Sequence, residues 1–411
     1  MVVWWIALTV IGSVLSCQGG SDSTGAVRTT QLDSAGVVLV RIEGDPAELP
    51  IWSISDEPAT EINGNAPPFL GSVGEVEILS DGGLLVEDNQ TAHLRRFDGS
   101  GVEVRTLGAR GDGPGEFQNL TELSVTAGDT AYVYDRRTYR MSHFAPNGTL
   151  IGTVSVGRER AGAGSLVLDG WPLSSERFVL HSLGAAEIDM TGSTYRDQRD
   201  AVLHLVDSEG AEVRPPVAFT GGYSIRGSFG DIRGPFANNP FVSVADGRVI
   251  YGSGLGYEIV VLGDDLDPER IIRWSGWARP LSPELLRSVR DTVESGFAEV
   301  RASRPQIVAD LMEGMFDPEL LPDTLPALSS AMLDESGRIW VCAYAPSPET
   351  WNEAERWHLL DRDGEPVARL RLPTQARLVA ARGNQIALVV RDTLDVEHVR
   401  VYDLVPTGEA R

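Results

Sequence analysis

Histidine is the first residue to test for metal or acid–base chemistry, and this chain of 411 residues has 6. His93, His204, His358 and His398 fall on the polar face of one recurring strand. Equivalent strands of a repeat lie apart, so these four are expected to be solvated or locally bonded and not to converge. His143 takes an apolar-face position and His181 ends a different strand. No His-x-His or His-Glu-x-x-His spacing occurs, so no metal site is read from them. The chain also lacks a Gly-x-Ser-x-Gly elbow, a phosphate loop and an EF-hand pattern. No catalytic residue and no cofactor can be named from these residues. Two polar loops are better candidates. Arg226–Asn239 places Arg226, Asp231 and Arg233 beside Phe229 and Phe236, a mixture suited to an anionic or carbohydrate-like ligand. Gly108–Phe117 contributes Asp112 and Glu116. These five residues are the candidate ligand-binding set.

The elements that must position them form a repeat. His93-Leu-Arg-Arg-Phe-Asp-Gly-Ser-Gly101, Arg140-Met-Ser-His-Phe-Ala-Pro-Asn-Gly148 and Val202-Leu-His-Leu-Val-Asp-Ser-Glu-Gly210 share one pattern. Ile259–Asp267, Arg356–Gly364 and His398–Pro406 follow it. The second residue of each is apolar (Leu94, Met141, Leu203, Val260, Trp357, Val399), which is the alternation of a strand with one buried face. The Asp and Gly that follow suit a hairpin turn. Each copy is preceded by a small or polar turn and an apolar strand, as in Ser80–Val86 and Glu335–Val341. A third strand follows the closing turn, and a fourth precedes the first turn. Four antiparallel strands recurring at about 45–60 residues make a propeller blade.

The reading is therefore all-β: a six-bladed β-propeller over residues 36–408, closed by pairing an N-terminal strand, Val37–Ile42, into the last blade near Val399–Tyr402. One interval is nearly double. It holds Ser282–Phe316, where Leu285, Leu286, Val289, Val293, Phe297 and Val300 fall at helical spacing. Ser282-Pro283 reads as an N-cap with proline at the first helical position, and Ser303-Arg-Pro-Gln306 as a capping box. A helical insertion over about 282–316 is predicted, lying close to the two polar loops as a lid.

Composition bounds the partners. The net charge is −24 and the chain contains no lysine. Such a body is repelled by nucleic acid and by anionic membrane surfaces. The expected partner is a protein, peptide or glycan, with a membrane reached only through an anchor. Residues 1–16 form an apolar run too short to span a bilayer comfortably. It ends at Val14-Leu15-Ser16-Cys17, which resembles the lipobox of bacterial lipoproteins. That resemblance implies a signal peptide over 1–17, a diacylated Cys17 and a flexible tether over 18–35. Cys342 sits in an apolar strand and is expected to be buried and inert.

The loop Gly108-Ala-Arg-Gly-Asp-Gly-Pro-Gly-Glu-Phe117, with Asp135, Arg140 and Phe144 after it, resembles the NHL repeat. Asp88, Arg95 and Phe97 match in the preceding copy. The whole chain resembles bacterial six-bladed β-propeller lipoproteins related to NHL proteins. The resemblance implies the fold. For function it implies a binding or interaction module of the cell envelope, with a channel-centred hydrolase or lyase as the alternative.

Overall fold

The computed structural model describes residues 26–67, 69–157, 166–185, 194–227, 230–346, 357–373 and 376–406. Cys17 with its apolar leader, and Phe229, lie outside them. The protein is a β-propeller. Its first antiparallel unit pairs Val73–Ile78, Leu84–Asp88, His93–Phe97 and Glu103–Leu107 in chain order. The second pairs Leu120–Val125, Ala131–Asp135, Arg140–Phe144 and Leu150–Ser155. The third runs Leu166–Pro172, Arg177–Leu183, Tyr195–Asp207 and Val217–Gly227, with Gly230–Arg233 added at its edge. Next come Phe241–Ala245 to Pro268–Trp274, then Leu328–Leu333 to Pro366–Leu370, and finally Arg377–Arg382, Gln385–Arg391 and Glu397–Val405.

The alternation read from the sequence gives each strand its buried face: Leu94, Met141, Leu203 and Val399 are fully buried. The repeated aspartate has a physical task. Asp135 is 1% exposed, and its carboxylate accepts from the backbone N–H groups of Gln118 (2.6 Å), Asn119 (3.3 Å), Arg137 (2.8 Å) and Thr138 (3.1 Å). It pins the turn on one side and the incoming connection on the other. Asp88 does the same for Gln90 and also meets Arg95 at 3.3 Å.

Apolar clusters join each unit to the next. Leu85, Leu94 and Leu107 meet Phe117, Leu123 and Val133, and Tyr134 and Met141 meet Phe178 and Leu180. Trp171 and Leu203 meet Val249 and Leu262, while Ile250 and Ile272 meet Leu328 and Val341. Trp340 and Leu370 then meet Ile386 and Leu388, and Val399 and Val401 return to Val76 and Val86 of the first unit. The chain of clusters closes on itself, so no unit carries its core alone.

Closure differs from the sequence reading. Thr60–Ile62 completes the last unit, pairing Val399 with Ile62, Arg400 with Glu61 and Val401 with Thr60. Ile51–Ile54 lies between the last two units, parallel to Arg369–Leu370 and antiparallel to Leu404–Val405. Val37–Glu43 instead runs parallel to Pro268–Trp274, from Val38↔Arg270 to Ile42↔Trp274, on the outer edge of the fourth unit. Its buried residues Val40 and Ile42 need that apolar seam, and a strong β-branched run pairs wherever an edge and a seam coincide. Residues 28–34, inside the segment expected to be a tether, form a strand against Val37–Glu43.

The insertion is helical: α1 (Pro283–Gly296), α2 (Ala298–Ser303) and α3 (Pro305–Met315). Ser282 caps α1, its Oγ accepting from Leu285 N–H at 3.2 Å. The capping box at Ser303 does not form, because Ser303 Oγ donates back to Val300 C=O at 3.1 Å and Arg304 takes the N-cap position. Leu286, Val289, Val293 and Phe297 of the first two helices and their junction pack on Val308, Leu311, Met312 and Phe316. That cluster continues onto Ile232 at the edge of the third unit. The helices thus cover the extended hairpin of the third unit.

Candidate ligand site in the channel

The innermost strand of every unit faces a shared cavity of about 730 Å³. A plain strand would alternate its side chains strictly. Five of these strands carry an irregularity near their start, at Val73/Val76, Leu120/Glu122, Val167/Asp169, Leu328/Ser330 and Leu378/Ala380. A bulge re-aims the side chains beside it. Here it carries Glu75 and Glu122 to the cavity wall, and Glu77, two residues beyond Glu75, lines it as well. Arg377 and Arg382 face them from the last unit, while Ser243 and Ser330 line the opposite wall.

One glycine makes room for this arrangement. A Cβ on Gly74 would stand 2.2 Å from Oε2 of Glu87. That oxygen accepts from Glu75 N–H at 3.0 Å, which seats Glu87 directly behind Glu75. Glu87 is 3% exposed, and its Oε1 has no hydrogen-bond partner among the described residues.

All four carboxyls are raised above the usual carboxylate range. Burial pushes Glu77 up to about 8; the neighbouring Glu75 adds to this and Arg382 opposes it. Burial and the charge of Glu75 take Glu87 to about 7, against the hydrogen bond from Glu75 N–H. Glu75 is raised by burial, countered by Arg377 and reinforced by Asp169. Glu122 is raised well above the usual carboxylate range by burial and by Glu75, Asp169 and Glu77, although Trp171 hydrogen-bonds to it. The arginines relieve this only in part, because they are engaged elsewhere. Arg377 donates to Val73 C=O (2.7 Å) and Gly74 C=O (3.3 Å). Arg382 donates to Ile78 C=O (2.9 Å) and pairs with Asp129 (3.2 Å) and Glu335 (2.9 Å). Among the described residues, no three Asp, Glu, His or Cys side chains are placed to share a metal ion.

The five residues singled out in the sequence lie elsewhere, and none lines the cavity. Arg226 pairs with Asp231 (2.7 Å) and Asp197 (3.0 Å), and Asp231 also meets Arg199 at 3.3 Å. Arg233 donates to Asn239, Ala237 and Asn238 at 3.3 Å each. Asp112 accepts from Gln118, and Glu116 accepts from Gly113 N–H at 2.7 Å. The structure gathers Arg226, Asp231 and Arg233 on one hairpin beside Asp197 and Arg199, and among the described residues no bond joins them to Asp112 or Glu116. The insertion contributes nothing to the cavity wall either; it rests on the third unit.

His398, 6% exposed, is locally bonded as expected, to Gly64 N–H (3.3 Å) and Asp392 (3.4 Å). One histidine expectation changes: His358 is buried, at 3% exposure. His358 packs among Trp277 (5.3 Å), Trp274 (5.8 Å) and Tyr257 (6.3 Å), contributed by the neighbouring unit and the segment that follows it. Burial, helped by Arg369, pushes its pKa down to about 4. The polar-face position faces the next unit there, so alternation alone misassigns it. Cys342 is buried, as expected, and is not in a disulfide.

No family model and no curated protein matches this chain. Among solved structures, it is similar to a member of the DUF4221 family from Bacteroides vulgatus, with 10% identity, a TM-score of 0.47 and coverage of 94% of this chain and 100% of the other. It is similar to regucalcin, a calcium-binding protein from Agrobacterium tumefaciens, at 11% identity and TM-score 0.40, covering 87% and 96%. A third likeness is the PQQ-bound aldose sugar dehydrogenase of Streptomyces coelicolor, at 12% identity and TM-score 0.40, covering 86% and 98%. The fold assignment rests on this chain's own strand pairing and closed run of clusters. No helix among the described residues is long and apolar enough to cross a membrane.

Proposed function

We propose that this protein is a six-bladed propeller, exported and anchored at the cell envelope through Cys17, whose channel binds a small ligand or a protruding part of a larger partner. The carrying observation is the convergence of Glu75, Glu77 and Glu122 on a cavity of about 730 Å³, a size that suits a ligand of a few linked rings or residues. Arg226, Asp231, Arg233, Asp112 and Glu116 are proposed as contacts for a larger partner. In support, both of their connections lead from an outermost strand to the next innermost strand, and so share a phase of the repeat.

The test is a channel plug. Ser330 lines the cavity on a different strand from the carboxylates, and Ser330→Trp should narrow it. Native mass spectrometry of the full chain should show a small molecule retained by the wild type and released by the plugged variant. Equal retention by both proteins contradicts the channel as the site.

A second reading, hydrolase or lyase, draws on Glu77, which lines the cavity and is pushed up to about 8 by burial, so that it keeps a proton it could donate at neutral pH. Turnover that vanishes in Glu77→Gln while binding persists would favour it.

A further inference from the structure

We propose that the pocket where the Gly108–Phe117 loop meets the turn between Ala131–Asp135 and Arg140–Phe144 is a further binding site, for an oxyanion carried on a hydroxylated molecule of sugar size. It shares no lining residue with the channel cavity and does not depend on the channel reading. It is an open pocket of about 560 Å³, lined by Arg110, Gly111, Gln118, Asn119 and Arg137. No acidic and no large apolar side chain is among them. A cation would meet two guanidinium groups there, and an apolar ligand would find no surface to cover.

The two arginines are open to a ligand. The chain has 35 arginines against 59 aspartates and glutamates, so an arginine left without a carboxylate stands out. Arg110 makes no hydrogen bond or ion pair among the described residues. Arg137 uses its side chain once, Nε donating to Gln118 Oε1 at 3.1 Å, which leaves Nη1 and Nη2 open. The carboxylates of the same loop are engaged elsewhere. Glu116 accepts from Gly113 N–H at 2.7 Å, Asp112 accepts from Gln118, and neither lines the pocket or pairs with either arginine. Planar guanidinium forks suit carboxylate and phosphate oxygens. The Asn119 carboxamide, also without a hydrogen-bond partner among the described residues, offers donors and an acceptor to hydroxyl groups beside the anion.

The backbone that carries these groups is fixed before any ligand arrives. The buried Asp135 carboxylate accepts from the N–H groups of Gln118, Asn119 and Arg137, and Asn119 C=O accepts from Arg136 N–H at 3.0 Å. Arg110 belongs to a short parallel pairing, opposite the buried Phe117. Three of the five lining residues therefore hang on one buried side chain, and Arg110 on the adjoining pair. The site needs no backbone rearrangement to bind.

The experiment is calorimetric titration of the full chain with glucuronate, glucose 6-phosphate, glucose and inorganic phosphate near neutral pH. The expected result is one site for an anionic sugar and none for glucose. Arg110 and Arg137 are exposed, so Arg110→Gln and Arg137→Gln leave the fold intact, and each should weaken binding about tenfold or more. Arg41→Gln removes the same charge from an exposed position on Val37–Glu43 and should leave binding unchanged. Ser330→Trp, which tests the channel, should leave it unchanged too. Binding of glucuronate alone assigns a carboxylate and of glucose 6-phosphate alone a phosphate; either result, or both together, supports the inference. An equal loss in Arg41→Gln would mark a response to overall charge and overturn it. So would glucose binding as tightly as the anionic sugars, no binding of either anionic sugar, or loss of binding in Ser330→Trp, which would move the site into the channel. Inorganic phosphate binding as tightly as the anionic sugars would show an adventitious ion only and overturn it as well.

Discussion

Glu77 is the residue on which the chemistry turns. Its pKa is raised in the folded protein to about 8, against an ordinary value of 4.5. Between those pH values the folded chain keeps a proton that the unfolded chain gives up, so stability falls as pH rises from about 4.5 through 8. Glutamine imitates the protonated form. Glu77→Gln should match wild type at pH 5 and exceed it at pH 8.5 by about 1–3 kcal/mol, a figure reduced because the cavity admits water. Urea denaturation at the two pH values measures this, and parallel curves would show that Glu77 ionises normally. Gly74 is the steric counterpart. A methyl group there collides with the Glu87 carboxyl. Gly74→Ala should cost about 1–3 kcal/mol, and most of that loss should disappear in the Glu87→Ala background. Equal losses in both backgrounds would mean the glycine serves the backbone alone.

At the scale of elements, the three residues Thr60–Ile62 do more than the seven of Val37–Glu43. Ile62 is 3% exposed in the seam between the last and first units, and Thr60 Oγ1 donates to Gly99 C=O of the first unit at 2.7 Å. A carboxylate at Ile62 would be buried without a partner, so Ile62→Asp should destabilise the ring by about 3 kcal/mol or more. Leu32 is 58% exposed on the outer hairpin, and Leu32→Asp should stay within about 0.5 kcal/mol of wild type. Similar midpoints for the two variants would contradict closure by Thr60–Ile62. The sequence showed the repeat because turn aspartates and alternating strands are local signals. It did not show which N-terminal segment closes the ring, because closure is a pairing across more than 330 residues. A strong run such as Val37–Ile42 outweighs Thr-Glu-Ile on propensity alone. The channel site was hidden for a related reason. Bulges break the alternation at Glu75 and Glu122, so a reading by period two cannot tell which way those carboxylates point. Aligning Val73-Gly-Glu-Val-Glu-Ile78 with Leu120-Thr-Glu-Leu-Ser-Val125 places the two glutamates in register and would have exposed the cluster.

At the scale of the whole molecule, a ring of units buries a continuous core between neighbours and leaves its axis open for chemistry. The strands supply rigid walls, so groups carried on them keep their spacing. The net charge of −24 keeps such a body off anionic surfaces, and attachment through Cys17 would hold it near a membrane. Cys17→Ser should move the protein from the membrane to the soluble fraction, and an unchanged distribution would remove the anchor from the account. The central claim is that the Glu77 carboxyl on the channel wall keeps its proton at neutral pH. Carbon-detected NMR of the full chain labelled at the glutamate carboxyl carbons tests it directly. One resonance, missing in Glu77→Gln, should titrate near pH 8. If every glutamate titrates below about pH 5.5, in the ordinary range, the channel does not work as described.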